Sequence, residues 1–94
     1  MTLRIGADAF ESLFLAEYPR VRAIAARSGL DSAESEDVAQ EAFAQFYRRH
    51  PADAPYAAAW LRRAAVHLAL NAIRTRRRRS AREEREAVAA APMC

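Results

Sequence analysis

The sequence has no lysine, only two glycines, and a single cysteine, Cys94, which is its last residue. One cysteine excludes a disulfide framework within the chain, and the cytosol is the expected compartment for such a sequence. The scarcity of glycine and the lack of alternating apolar residues disfavour a β-sheet. No stretch reaches the roughly 20 apolar residues of a membrane span, and no apolar run near the N-terminus predicts a signal peptide.

The patterns typical of catalysis are also missing. The sequence contains no nucleophile paired with a base, no glycine-rich phosphate loop and no cluster with metal-ligand spacing. Its carboxylates are expected on an open helix face rather than in a pocket. We therefore predict a protein that is not an enzyme and has no catalytic residue, metal or cofactor.

Alanine and arginine are abundant. Of the 94 residues, 24 are alanine, so the apolar share of 52% overstates the size of the core. All fifteen basic residues are arginine, which binds phosphate bidentately and stacks on bases, although a GC-rich genome would favour the same composition. The chain predicts an all-α fold, a small three- to four-helix bundle with a long basic C-terminal helix. We expect one domain over residues 1–88 and a linker, or the end of an expressed fragment, over 89–94.

The formal net charge of +3 conceals two segments of opposite sign. Residues 28–47 contain five acidic and no basic residues, whereas residues 61–82 contain eight arginines and no acidic residue. This distribution predicts two partners, or one partner with two surfaces.

The first helix is expected to follow a loose lead-in, Met1–Ala7, with Asp8 as its N-cap. Pro19 either kinks this helix or begins a second one. Gly29 suits the left-handed position that follows a helix C-terminus.

The next helix is predicted over about Ala33–Arg49, with Asp31 or Ser32 as N-cap and Glu34 completing a capping box. Its residues divide into two faces by helical spacing. The face expected to be buried consists of Ala39, Ala42, Phe43 and Phe46. The face expected in solvent consists of Asp37, Gln40 and Glu41, which suit arginine donors of a partner. For this segment alone, stabilisation of the helix dipole is the stronger explanation of the acidic residues.

A loop, His50–Pro55, leads to a long helix that begins near Tyr56, with Pro55 in its first turn, and extends to about Ala87. The residues expected to be buried are Leu61, Ala64, Ala65, Leu68 and Ala72. Arg63, His67 and Arg74 fall on the opposite side. Because about 30 residues span roughly 45 Å, the last part of this helix should project, fray or need a partner.

Two segments together resemble the region 2 domain of bacterial RNA polymerase sigma factors, most closely the extracytoplasmic-function (ECF) group. Asp37–Phe43 is similar to the D-L-x-Q-E-x-F signature of that family. Trp60–Arg74 is similar to W-L-x-x-I-A-x-N-x-x-x-D-x-x-R, and Tyr56–Trp60 is similar to Y-A-T-W-W. The resemblance covers about Phe10 to Arg82. His67 and Asn71 depart from it, since they replace the usual Asn and Asp.

The resemblance implies two sets of contacts. The first, with the β′ clamp helices of core RNA polymerase, is made by Asp37, Gln40 and Glu41. The second, with the non-template strand of the −10 promoter element, involves the loop and the long helix through Asp53, Tyr56, Trp60, Arg62, Arg63, His67, Arg74, Arg76 and Arg77. In this set the two aromatic rings stack on or wedge against bases, and Arg62, Arg63 and His67 line the nucleic-acid side. An anti-sigma factor is a further expected partner.

Simpler explanations and other functions stay open at this point. Trp60 and Tyr56 could be packing residues, His67 a surface residue, and the Arg76–Arg79 run a solvated helix end. The chain could also be a sigma-like decoy or regulatory domain that binds an anti-sigma factor or polymerase without opening DNA. A membrane-bound basic helix is the weaker alternative, because the apolar stripe is largely alanine.

Overall fold

The computed structural model of the protein describes residues 5–90, with side-chain surroundings from residue 9 onward, and contains three α-helices. These are α1 (Ile5–Arg27), α2 (Ser32–Arg49) and α3 (Ala57–Ala90). Each helix packs against the other two, and no strand occurs between residues 5 and 90. The predicted all-α bundle with a long C-terminal helix is confirmed.

Helix α1 differs from the prediction at its start and is continuous through its proline. The backbone from Ile5 onward is helical, so Asp8 lies inside the helix and is not its N-cap; residues 1–4 of the expected lead-in lie outside the described residues. Pro19 lies within the same helix and begins no second one. Proline removes one backbone hydrogen bond, but the helix is held on both sides of it by the buried residues Glu17, Val21 and Ala25, which share one face.

The turn between α1 and α2 has the predicted capping residues. Gly29 has a φ of 108°, a left-handed value that favours glycine. Its N–H donates to the carbonyl of Ala26 at 3.0 Å, and the N–H of Leu30 donates to that of Ala25 at 3.5 Å, a Schellman motif.

Helix α2 then begins with the predicted capping box. The N–H of Glu34 donates to Asp31 Oδ1 at 2.8 Å, while the N–H of Asp31 donates to Glu34 Oε1 at 2.9 Å. These reciprocal bonds satisfy two backbone donors at the helix start. The short capped turn sets α1 and α2 side by side.

The core lies where the three helices meet. All four residues predicted to be buried on α2, among them Phe43 and Phe46, are buried. On α3 the prediction is partly confirmed: Leu61 and Ala65 are fully buried, but Ala64, Leu68 and Ala72 only flank the core. The centre of the buried stripe runs through Ala57, Leu61, Ala65 and Ala69, spaced four residues apart. Alanine at three of these positions lets α3 lie close to its neighbours.

The last part of α3, beyond Arg76, projects from the bundle, which is one of the three outcomes expected from the length of the helix. All residues from Arg74 to Ala90 are exposed, and 34 residues span roughly 51 Å at 1.5 Å per residue. At the other end, the helix begins at Ala57, so Pro55 lies in the preceding turn rather than in the first helical turn. That turn is closed by a bond from the N–H of Ala57 to the carbonyl of Ala54 at 3.0 Å.

Candidate functional site

Four arginines of the bundle are paired with acidic residues. The four nitrogen–oxygen pairs are Arg22–Glu36 at 3.8 Å, Arg48–Glu41 at 3.5 Å, Arg62–Glu17 at 3.2 Å and Arg76–Glu34 at 3.1 Å. Within residues 9–90 no such pair involves Asp37, Arg63, Arg74 or Arg77. Three of the four pairs join two different helices, whereas Arg48–Glu41 lies on the exposed face of α2.

The outer face of α2 is acidic and exposed. Asp37, Gln40 and Glu41 are exposed, as predicted from their spacing. The carboxylate of Glu41 accepts a hydrogen bond from Gln45 Nε2 at 3.0 Å and lies 3.5 Å from Arg48 Nη2. Asp37 has neither kind of contact within the described residues, so its carboxylate is the more available for an external donor.

An aromatic cluster lies where the loop meets α3. The half-buried ring of Trp60 has its centroid 5.3 Å from that of Phe46 and 5.2 Å from that of His50. Tyr56 is 46% exposed, and its hydroxyl lies 2.8 Å from His50 Nδ1. Trp60 is thus in part a packing residue, but neither ring is enclosed by the core.

A groove with a volume of about 390 Å³ runs along α3 beside α2. It brings together three residues of the predicted nucleic-acid set, namely Trp60, Arg63 and His67. Tyr56 belongs to the aromatic cluster at the end of the groove that is nearest the loop. Arg74 is exposed, and because it follows His67 by seven residues it lies on the same side of the helix. An aromatic ring followed by arginines that have no acidic partner within residues 9–90 suits an unpaired nucleotide strand.

Two amide side chains that line this groove were not among the predicted site residues. Asn71 follows His67 by four residues, so helical spacing would have found it. Gln45 comes from α2 and could not be assigned by the spacing of α3 alone. Because Gln45 also donates to Glu41, the acidic face and the groove meet at this residue.

Arg62 lies away from the groove, against α1. Its Nε and Nη2 each donate to the carboxylate of Glu17, at 3.2 Å. Glu17 is only 7% exposed, and a buried carboxylate is costly unless it is paired. Arg62 therefore does not lie on the same side of α3 as Arg63 and His67, contrary to what the resemblance implied. Adjacent residues of a helix point about 100° apart.

Arg76 is likewise engaged within the fold. Its Nη1 donates to Glu34 at 3.1 Å, and its Nη2 donates to the carbonyl of Gly29 at 3.4 Å. It thereby connects α3 to the turn that begins α2. Arg77, one residue later, is exposed.

The remaining loop candidate, Asp53, is exposed and does not line the groove.

Outside the groove, burial raises the pKa of Tyr47 above its ordinary value. Between residues 5 and 90, no cluster of three His, Cys, Asp or Glu residues could hold a metal ion. None of the helices in this range has the length and apolar character required to cross a membrane.

The chain matches a known protein family. The family model described as Sigma-70 region 2 matches residues 13–79, which include most of α1, all of α2 and the packed part of α3. No curated protein and no solved structure matches the chain significantly.

Proposed function

The chain belongs to the sigma-70 region 2 family, and from this premise we propose that it is the region 2 domain of an ECF sigma factor. Domains of this family bind core RNA polymerase and promoter DNA during transcription initiation. The proposed domain covers residues 1–88, with 89–94 as a linker, although helix α3 continues to Ala90. An anti-sigma factor is a proposed regulatory partner.

The proposed polymerase contact is the exposed face of α2. Asp37, Gln40 and Glu41 would accept hydrogen bonds from basic residues of the β′ clamp helices. Charge-assisted bonds of this kind are about twice as strong as neutral ones. The lack of any partner for Asp37 among the described residues supports it as the main contact.

The proposed DNA contact is the groove of α3 and its loop end. Tyr56 and Trp60 would stack on bases of the opened non-template strand, which returns roughly 1–3 kcal/mol per base against an unstacking cost of a few kcal/mol. Arg63, His67 and Arg74 would follow the backbone beyond them. Arg77 would add a phosphate contact further along the helix, and Asp53 a polar contact from the loop. In this proposal Arg62 and Arg76 stabilise the fold that presents the groove, because each is paired with a carboxylate of another helix.

One observation supports this function best. On one small bundle, an acidic surface adjoins a cationic groove at Gln45. Within residues 9–90 the Asp37 carboxylate of that surface has no ion-pair partner, and the groove has an exposed aromatic end. A protein that contacts a basic protein surface and a nucleic acid at once requires such a pair of surfaces.

Binding to core RNA polymerase tests the proposal. The wild-type chain should bind, and Asp37→Arg should abolish binding because it places a cation against basic residues. Glu83→Arg is the matched control, since it reverses an exposed acid on the projecting part of α3. Equal binding by wild type and Asp37→Arg, or no binding by a folded wild-type chain, would contradict the assignment of this face.

A second candidate function is favoured by where the sequence departs from the family pattern. His67 and Asn71 both line the groove, so a sigma-like decoy that binds polymerase or an anti-sigma factor without opening DNA is the alternative. Binding to a single-stranded −10 oligonucleotide decides between them. Sequence-selective binding supports the sigma factor, whereas polymerase binding without DNA binding supports the decoy.

A further inference from the structure

His50 lies at the junction between α2 and the loop that leads to α3. Its backbone N–H donates to the carbonyl of Phe46 at 2.8 Å, which satisfies one of the last carbonyls of α2. Its own backbone is extended, with φ −135° and ψ 145°. The chain therefore leaves the helix at this residue with the imidazole fixed at the helix end.

The imidazole ring contacts three aromatic side chains. It stacks on Phe46 with centroids 5.2 Å apart and an interplanar angle of 21°. It lies 5.2 Å from Trp60 at 56°, and 5.4 Å from Tyr56 in an edge-on arrangement of 84°. Its Nδ1 and the Tyr56 hydroxyl are 2.8 Å apart, within the ordinary range of a hydrogen bond. Only one of these neighbours, Phe46, is fully buried.

These contacts connect the two rings proposed to stack on DNA to the core. Tyr56 is nearly half exposed, so its orientation depends on the few contacts that it makes. A side chain that is already held in its bound orientation loses less conformational entropy when a ligand binds. Imidazole supplies both a flat ring for Phe46 and Trp60 and a nitrogen for the Tyr56 hydroxyl, whereas phenylalanine would supply only the ring.

We infer that His50 is a positioning residue, which holds Tyr56 beside Trp60 in the orientation that stacks on an unpaired base. This inference rests on the proposed DNA-binding function. It assigns His50 no contact with DNA and makes the bond between His50 and Tyr56 a determinant of affinity.

A double-mutant cycle tests the inference. His50→Phe and Tyr56→Phe each keep an aromatic ring and remove one partner of the hydrogen bond. Each single variant should weaken binding to a single-stranded −10 oligonucleotide by about fivefold, the scale of immobilising one side chain on binding. The double variant should bind no more weakly than either single variant, because both changes remove the same interaction.

Two further measurements separate positioning from folding. Because the bond between His50 and Tyr56 is exposed, both single variants should lower the melting temperature by no more than a few degrees and should leave polymerase binding within error of wild type. In free wild-type protein, the nitrogen NMR shifts of the His50 ring should differ from those in Tyr56→Phe, because the hydroxyl partner is gone.

The outcomes are distinct. Any one of three results would overturn the inference alone. These are wild-type affinity in His50→Phe, additive losses of about 25-fold in the double variant, and nitrogen NMR shifts of the His50 ring that are the same in wild type and Tyr56→Phe. A folded wild-type chain that binds no −10 oligonucleotide would instead overturn the proposed DNA-binding function, and the inference with it.

Discussion

Arg62 and Arg63 are neighbours in the sequence but differ in their surroundings. Arg62 faces α1 and forms two hydrogen bonds to the buried carboxylate of Glu17, whereas Arg63 lines the groove beside Trp60. The same contrast recurs one segment later, where Arg76 is bound to Glu34 and Arg77 is exposed. An arginine-rich helix can thus supply both internal ion pairs and external cations, and a rotation of about 100° per residue decides which.

The largest expected difference between the neighbours is in stability. Arg62→Ala leaves the Glu17 carboxylate buried without its partner. Removal of one partner from a buried pair costs 3–5 kcal/mol, and because Arg62 is 43% exposed we expect about 2 kcal/mol here. Thermal unfolding should show a melting temperature lower by roughly 10 °C. Arg63→Ala is the matched control and should change stability by less than about 0.5 kcal/mol.

The acidic face offers a comparison between a paired and an unpaired carboxylate. Asp37→Asn should weaken polymerase binding by about tenfold, since it removes a charge that is free to pair with the partner. Glu41→Gln should weaken it by only about threefold, because Gln45 and Arg48 already engage that carboxylate. Affinities measured at one salt concentration check the order. A larger effect at Glu41 would contradict the importance of the internal contacts.

The neighbouring residues Arg76 and Arg77 should also differ in their effect on stability, but less than Arg62 and Arg63 do. The Arg76–Glu34 pair is partly exposed on both sides, so Arg76→Ala should cost about 0.5–1 kcal/mol of stability. Arg77→Ala should leave the unfolding curve unchanged and reduce only DNA affinity. Chemical denaturation of both variants under identical conditions measures the two stability losses. Equal losses would contradict the distinction between an arginine that is paired within the fold and one that is not.

The smallest expected effect concerns the phenol of Tyr47 on α2. Burial raises the pKa of Tyr47 in the folded state, so the unfolded chain releases this proton more readily. Stability from this group is therefore complete below about pH 10, the ordinary value, and falls as the pH rises through the raised folded pKa. Tyr47→Phe should show a smaller loss of stability between pH 9 and 11 than wild type. An unchanged slope would mean that other groups cause the alkaline loss.

Local sequence signals predicted most of the fold. Gly29 and the Asp31–Glu34 capping box fix the turn through backbone bonds within a few residues, and the spacing of Phe43 and Phe46 predicted the buried face of α2. The start of α1 was wrong because Asp8 resembles an N-cap, yet the helical backbone begins earlier. Pro19 is accommodated because buried residues before and after it hold one helix together.

The site was less predictable, because its geometry depends on contacts between helices. The exposure of Asp37, Gln40 and Glu41 follows from one helix and was predicted. The pairing of Arg62 with Glu17 joins residues 45 positions apart, and no periodicity within α3 indicates it. The same holds for Gln45 in the groove and for the His50–Tyr56 bond, which depends on the path of the loop.

The most direct test of this account is the salt dependence of binding to a single-stranded −10 oligonucleotide by Arg63→Ala and Arg62→Ala. Each phosphate contact contributes about 0.7 to the slope of log affinity against log salt for a single strand. We predict that Arg63→Ala reduces the slope by about this amount at unchanged melting temperature. Arg62→Ala should lower the melting temperature and keep the slope. A reduced slope in Arg62→Ala together with a wild-type slope in Arg63→Ala would contradict the assignment of paired arginines to the fold and free arginines to DNA.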